Sequence, residues 1–117
     1  MIYEYKAELV RVVDGDTIYA KTSLGFNVYM DLEFRLFGIN TPEVIGAQKT
    51  AGLAAKAELE RLLKSGPLRV VSEKSDKYGR WLGTFYAKNA DGTETNINDA
   101  LLKGGFALPY FGVGPKP

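Results

Sequence analysis

Residues 26–39, FNVYMDLEFRLFGI, place the strictest constraint on what this chain can fold into. Phe26, Val28, Met30, Leu32, Phe34 and Leu36 occupy every second position, with Tyr29, Asp31, Glu33 and Arg35 between them. A period of two belongs to a strand with one face on a core and the other toward water. Wound into a helix, the same residues would scatter their apolar side chains around the cylinder. On this reading Arg35 lies on the polar face of its strand and need not enter the core. The run stops at the Asn-Thr-Pro-Glu corner of residues 40–43, where Pro42 fixes its own φ and removes a backbone donor.

The neighbouring segments extend the pattern. YKAELVRVV (5–13) and TIYAKT (17–22) are rich in β-formers and are separated by an Asp-Gly-Asp turn, which predicts a hairpin leading into the long strand. From Gln48 to Lys64 the period becomes helical, with Ala51, Ala55, Leu59 and Leu62 on one stripe and Ser65-Gly66-Pro67 as the stop. LRVVSE (68–73) and WLGTFYAK (81–88) read as two more strands, and Asn98 reads as the N-cap of a short helix ending at Gly104. Five strands with one long and one short helix predict a mainly β, α+β chain: a five-stranded oligonucleotide/oligosaccharide-binding (OB) barrel, with a β-grasp-like fold as runner-up. At 117 residues a single domain over 1–117 is expected. The N-terminus mixes charges into every few residues and is unlike a secretory leader, so the chain as written reads as cytoplasmic, or secreted if a leader has been removed. No stretch has the length of a membrane span.

Composition limits the chemistry. The chain has no Cys and no His, which excludes disulfides, zinc sites of the usual ligand types, thiol nucleophiles and His-based triads. Any catalysis rests on carboxylates, Arg, Lys, Tyr and a hard metal. Net charge is only +1, but its distribution is uneven. Residues 1–47 hold four basic and seven acidic side chains, whereas residues 48–90 hold nine and four. An acidic first third facing a basic middle suits a cation beside phosphates. In VDGDT the turn needs only Asp14 and Gly15, so Asp16 is left over as a candidate hard-cation ligand. Taken alone, NTPE is a turn with a surface acid at Glu43, DKYGR is a solvated turn at Gly79, and Trp81 and Tyr110 are core or rim aromatics.

As an ordered set, VDGDT, FRLFGINTPE, DKYGRWLGTFYA and NDALLKGGFALPY closely resemble the staphylococcal nuclease (thermonuclease) family, over about residues 8 to 110. The resemblance implies an OB barrel and Ca²⁺-dependent hydrolysis of DNA and RNA to products carrying a 3′-phosphate. Carried over by position, it makes Asp16 the metal carboxylate, joined by the Asn40 side chain and the Thr41 carbonyl. Arg35 and Arg80 become guanidinium clamps on the scissile phosphate, and Glu43 becomes the candidate general base. Lys77 and Tyr78 match positions contacting the nucleotide's terminal phosphate, and Tyr110 matches a Tyr beside the base. The expected partners are DNA and RNA, single strands preferred, acted on by a monomer. The sequence departs from the family pattern at Asn40, where Asp is usual, and in the segment VIGAQKTAG, which is shortened. The alternative is a catalytically weakened OB-fold module that binds single-stranded nucleic acid through Arg35 and Arg80. Retention of Asp16, Arg35, Glu43 and Arg80 together, with a net charge low for a pure binder, favours the enzyme.

Overall fold

The Asp-Gly turn doubles strand β1 (Tyr3–Asp14) back into β2 (Thr17–Gly25) in the computed structural model, which describes residues 3–75 and 79–111. The register slips between Leu9 and Arg11 and again between Val12 and Asp14. Irregularities of this kind strengthen the local twist and let a long strand curl. Strand β3 (Val28–Leu36) follows on β2, with Thr17 opposite Arg35. It starts two residues later than the alternation suggests, because Phe26 (φ 56°) and Asn27 (φ 61°) form the left-handed hairpin turn. Phe26 is therefore fully exposed and not part of the core face.

After β3 the chain leaves the barrel. The two-residue β4 (Ile39–Asn40) is followed by a 3₁₀ turn at Gly46–Gln48 and helix α1 (Lys49–Leu63). The buried positions of α1 are Gly52, Ala55, Leu59, Leu62 and Leu63, so the stripe begins at Gly52, and Ala51 is exposed. Strand β5 (Leu68–Ser75) pairs antiparallel with β1, and β6 (Trp81–Lys88) pairs antiparallel with β5. Strand β6 then meets β3 in parallel through Phe34 with Trp81, Arg35 with Leu82 and Leu36 with Gly83. That pairing closes the order β3-β2-β1-β5-β6 into the expected five-stranded barrel with two helices.

A short β7 (Glu94–Asn96), not foreseen in the sequence, adds to the outer edge of β6 and leads into α2 (Ile97–Lys103). The cap of α2 is Asn96, whose side chain accepts from the Asp99 N–H at 3.0 Å. Asn98, the expected cap, is instead a buried bracket. Its Nδ2 donates to the Phe37 and Gly83 carbonyls at 2.9 and 3.0 Å, and its Oδ1 accepts from the Phe85 N–H at 3.1 Å. Strand β8 (Leu108–Pro109) pairs with β4. Ile18, Phe34, Leu36, Val70, Phe85 and Leu101 are almost wholly buried inside, with Phe34 and Phe85 edge to face at 5.3 Å. Among the described residues no helix is long and apolar enough to cross a membrane.

Helix α1 reaches the rest of the chain at Gly52. A Cβ there would lie 1.9 Å from the Glu43 carbonyl oxygen and 2.8 Å from the Val44 nitrogen, so glycine is what lets the helix press on this loop. Gly→Ala in a helix interior ordinarily stabilises by roughly 1 kcal/mol. Here the expected outcome is reversed: urea denaturation of Gly52→Ala should show a loss of about 1–3 kcal/mol from overpacking. A gain in stability would show that helix and loop do not touch as described.

Candidate active site

Three strand ends converge because of the register already described. The β1–β2 turn carries Asp16 and the head of β2 carries Thr17, the tail of β3 carries Arg35 opposite Thr17, and β6, preceded by Arg80, lies against the tail of β3. The Leu36 N–H donates to the Asp16 carbonyl at 2.8 Å, locking the turn to the strand. Arg35 occupies the outward face, as alternation requires, yet only 7% of it is exposed. The corner at 39–41 folds back over it, so the polar face on which the sequence places Arg35 is covered at this point.

Arg35 Nη1 lies 2.8 Å from Asp16 Oδ2, and Arg35 Nη2 donates to the Ile39 carbonyl at 3.1 Å and to Asn40 Oδ1 at 3.3 Å. The Thr41 N–H donates to Asp16 Oδ2 at 3.0 Å, and the Thr17 hydroxyl donates to Asp16 Oδ1 at 3.2 Å. Arg80 joins this network through Thr17, with Nη1 3.4 Å from the same hydroxyl. Asp16, Arg35, Asn40, Thr41 and Arg80 are thus brought into one connected cluster.

Two buried polar atoms in the cluster have no hydrogen-bond partner among the described residues, Arg35 Nη1 and Thr41 Oγ1. For Arg35 Nη1 this stands beside a short ion pair. The charges are close, but none of the N–H bonds points along the contact, so the attraction is Coulombic and the donor capacity is unspent. An oriented, underused guanidinium is suited to an oxyanion. The oxygen atoms of Asp16, Asn40 and Thr41 suit a hard cation, and the orphaned Thr41 hydroxyl adds a further hard donor in the same place. Among the described residues there is no cluster of three or more His, Cys, Asp or Glu, so neutral oxygens would supply most of any coordination.

Asp14 is the member that sequence reading assigned only to the turn. Its Oδ1 accepts from the Asp16 N–H at 3.1 Å. Burial, then the hydrogen bond with Asp16 and that residue's negative charge, push its carboxyl from the ordinary 3.8 up to about 6. Burial pushes Asp16 upward as well. The hydrogen bond from Asp14, the Arg35 charge and the Thr41 N–H outweigh it and hold Asp16 below its ordinary value. Two carboxyls two residues apart around a glycine were the available signal for such a pair.

Gly15 explains how the turn fits. A Cβ there would lie 2.7 Å from Thr41 Oγ1 and 2.8 Å from the Ala55 Cβ, so the turn, the corner and α1 meet at a point where only glycine has room. Glu43 lies two residues beyond Thr41 with its side chain exposed, and its N–H donates to Gln48 Oε1 at 3.2 Å. Tyr110 is half-buried and its N–H donates to the Gly38 carbonyl at 2.9 Å, which returns the C-terminal segment to the β3–β4 corner. Lys77 and Tyr78 lie outside the described residues. Thr17 and Gln48 were missed by sequence reading, for their roles depend on partners far along the chain or on a side chain turning back to the main chain.

Removing one partner of a buried ion pair leaves the other charge uncompensated, at a cost of about 3–5 kcal/mol. Arg35→Ala should therefore lower folding stability by about that amount in urea denaturation, whereas Arg80→Ala, on a half-buried side chain, should lower it by less than about 1 kcal/mol. Equal losses in the two variants would refute the placement of Arg35.

The model of the staphylococcal nuclease homologue family matches residues 33–116, well over half of the chain and including the β3 tail, the corner and the approach to β6. Endonuclease YhcR of Bacillus subtilis is 32% identical over 92% of this chain and 9% of its own length. Micrococcal nuclease of Shigella flexneri is 30% identical over 92% of this chain and 59% of its own. An uncharacterized protein of Methanocaldococcus jannaschii is 30% identical over 91% of this chain and 59% of its own. The chain thus spans less than two thirds of the length of these relatives. With the barrel, the ordered motifs and the family match in agreement, the chain belongs to the staphylococcal nuclease family.

Proposed function

We propose that this chain is a calcium-dependent nuclease domain that hydrolyses phosphodiesters of DNA and RNA, single strands preferentially. The observation that carries the reading is the convergence of Arg35 and Arg80 on the Asp16–Thr17 turn, with unspent donor capacity on Arg35 Nη1. A phosphodiester is an anion that repels nucleophiles. Hydrolysis needs donors that hold its non-bridging oxygens more tightly as charge builds there, and guanidinium forks do so without reorganising.

Water adds to phosphorus as the bond to the 5′-oxygen breaks, leaving a 3′-phosphate and a 5′-hydroxyl. Glu43, exposed at the end of the corner, takes the proton from the attacking water, and solvent supplies a proton to the departing 5′-oxygen. With no His in the chain, a carboxylate is the available base. Arg35 and Arg80 hold the phosphate, and Thr17 keeps Arg80 in register with Asp16. A calcium ion held by Asp16, the Asn40 side chain and the Thr41 carbonyl would supply additional positive charge at the phosphate. Lys77, Tyr78 and Tyr110 are assigned to the substrate strand on their sequence positions. A module that binds without cleaving is the second reading, favoured by the hydrogen bond that ties the neutral Asn40 to Arg35.

The purified chain should degrade DNA and RNA with Ca²⁺ and lose this activity in EDTA. Arg80→Ala should cut kcat on the order of 10²-fold or more, with a much smaller change in KM. Glu43→Gln should also slow turnover strongly, since a mere surface acid would tolerate the amide. Undiminished activity in chelator would remove the calcium, undiminished activity in Arg80→Ala would remove Arg80 from the catalytic machinery, and binding of nucleic acid with no hydrolysis would leave the binding module.

Asn40 gives a separate test on the metal. Its amide oxygen can meet a hard cation but brings no charge, and calcium affinity follows ligand charge. Unit charges about 4 Å apart in a watery dielectric attract by roughly 1 kcal/mol, so for a divalent ion Asn40→Asp should tighten calcium by about 2 kcal/mol, ten- to thirtyfold. Titration calorimetry reads this directly. Unchanged affinity would show that residue 40 is not a ligand.

A further inference from the structure

The barrel is closed only partway along. Strand β6 pairs with β3 from Phe34 to Leu36, and among the described residues Val28–Glu33 of β3 has no strand on that edge. The gap opens into a mouth of about 320 Å³, with Tyr3, Tyr5, Leu24, Met30 and Trp81 around it and Phe34 among its lining. Phe34 is 1% exposed, but Trp81 is 43%, Tyr3 50% and Met30 53% exposed, so the rim aromatics present their surfaces outward. The Tyr3 and Tyr5 rings lie nearly parallel, 28° apart, with centroids at 6.2 Å.

This mouth adjoins the guanidinium pair. Trp81 directly follows Arg80, and its partner Phe34 directly precedes Arg35. Consecutive side chains on a strand point to opposite faces. Arg80 reaches the Thr17 hydroxyl on the outside, and Trp81 therefore turns into the mouth. The larger groove across the outer face of β1, β2 and β5 is a poorer candidate. Its four cations, Lys6, Lys21, Arg69 and Lys88, stand among three carboxylates, Glu4, Glu8 and Glu94, and Arg69 is already paired with Glu94 at 2.8 Å.

We propose that the barrel mouth is a base-stacking subsite, in which Trp81 with Tyr3 and Tyr5 receives an unpaired nucleobase of a strand whose phosphate lies at Arg35 and Arg80. It rests on the reading above for the class of ligand. Among the described residues the mouth is lined by apolar and aromatic side chains and no charged one, which suits the face of a base and not its phosphate. Stacking of this kind tolerates any base but requires one that is free of a partner strand. Single strands would be held through it and intact duplexes would not.

Trp81 is the only Trp in the chain, so its fluorescence reports on the mouth alone. The test titrates the 117-residue protein, in EDTA at low salt so that nothing is cleaved, with three probes of equal length: an oligothymidylate octamer, an abasic octamer and an eight-base-pair duplex. The octamer should quench Trp81, and the abasic chain and the duplex should not. Met30→Glu and Tyr3→Ala, with folding checked by circular dichroism, should each weaken octamer binding on the order of tenfold. Equal quenching by the abasic chain would place backbone at the mouth and overturn the proposal. No quenching, with Ca²⁺-dependent hydrolysis intact, would overturn the mouth and leave the nuclease. Quenching without any hydrolysis would support the mouth and remove the nuclease. A dimer by sedimentation that shields Trp81 from acrylamide and dissociates in Met30→Glu would make a second copy the occupant and overturn the proposal as well.

Discussion

The contact between Asp16 and Arg35 is the constraint from which the rest of the site follows. Each residue is only 7% exposed, and the effective cost of taking such charges out of water is several kcal/mol per ion. Proximity alone does not offset that cost, so the remaining lone pairs and N–H groups must find partners. Asp16 is met by the Thr41 N–H and the Thr17 hydroxyl, while Arg35 spends Nη2 on the Ile39 carbonyl and Asn40. These partners come from the β1–β2 turn, the tail of β3 and the corner beyond it. Satisfying one ion pair therefore fixes three chain segments relative to one another, which is the positional precision a phosphate site requires.

Helix α1 supplies the opposing wall. Gly15 and Gly52 remove the two side chains that would hold it away from the turn and from the Glu43 carbonyl. Between those contacts runs the chain from Asn40 to Gln48, where Gln48 Oε1 accepts a hydrogen bond from the Glu43 N–H. The exposed Glu43 carboxylate thus projects from a backbone held at both ends. Asn98 acts similarly on the far side, tying α2 to the end of β3 and to β6 with three hydrogen bonds. The seam that carries Arg35 and leads from Arg80 is braced from within.

Strands were legible because their signal is local. Alternation in β3, the Asp-Gly turn and the helical period of α1 each involve residues a few positions apart, and all three survive in the structure. Errors arose where a residue answers to distant partners. Arg35 was placed on the correct face, but its burial there was not legible, since its cover comes from a corner that folds back. Asn98 has the composition of a cap, yet Asn96 takes that role because Asn98 is drawn inward by Phe37, Gly83 and Phe85. Phe26 fits the apolar alternation but sits at a two-residue turn, where hairpin geometry overrides side-chain preference. Thr17 carried no signal beyond strand composition, and for Asp14 the one signal, a second carboxyl two residues from Asp16, is also that of an ordinary turn, so the fold is what reveals both as parts of the charged cluster.

Charge balance explains why residue 40 matters beyond its size. With Asp14 and Asp16 both ionised, these two carboxylates stand against Arg35 and Arg80, and the sum over these four side chains is zero. An Asp at position 40 would make it −1, the balance that favours a divalent cation in an otherwise empty site. Asn40 removes that bias and gives Arg35 a neutral acceptor at 3.3 Å in place of a second anion. Arg35 is then restrained by one carboxylate only, and its Nη1 donors stay undirected. A phosphate bound there would contribute the negative charge that residue 40 lacks, improving the field for a cation by the same factor that the cation improves it for the phosphate. On the proposed reading, the neutral side chain would shift the site from one that holds its metal in advance to one that is completed by metal and substrate together.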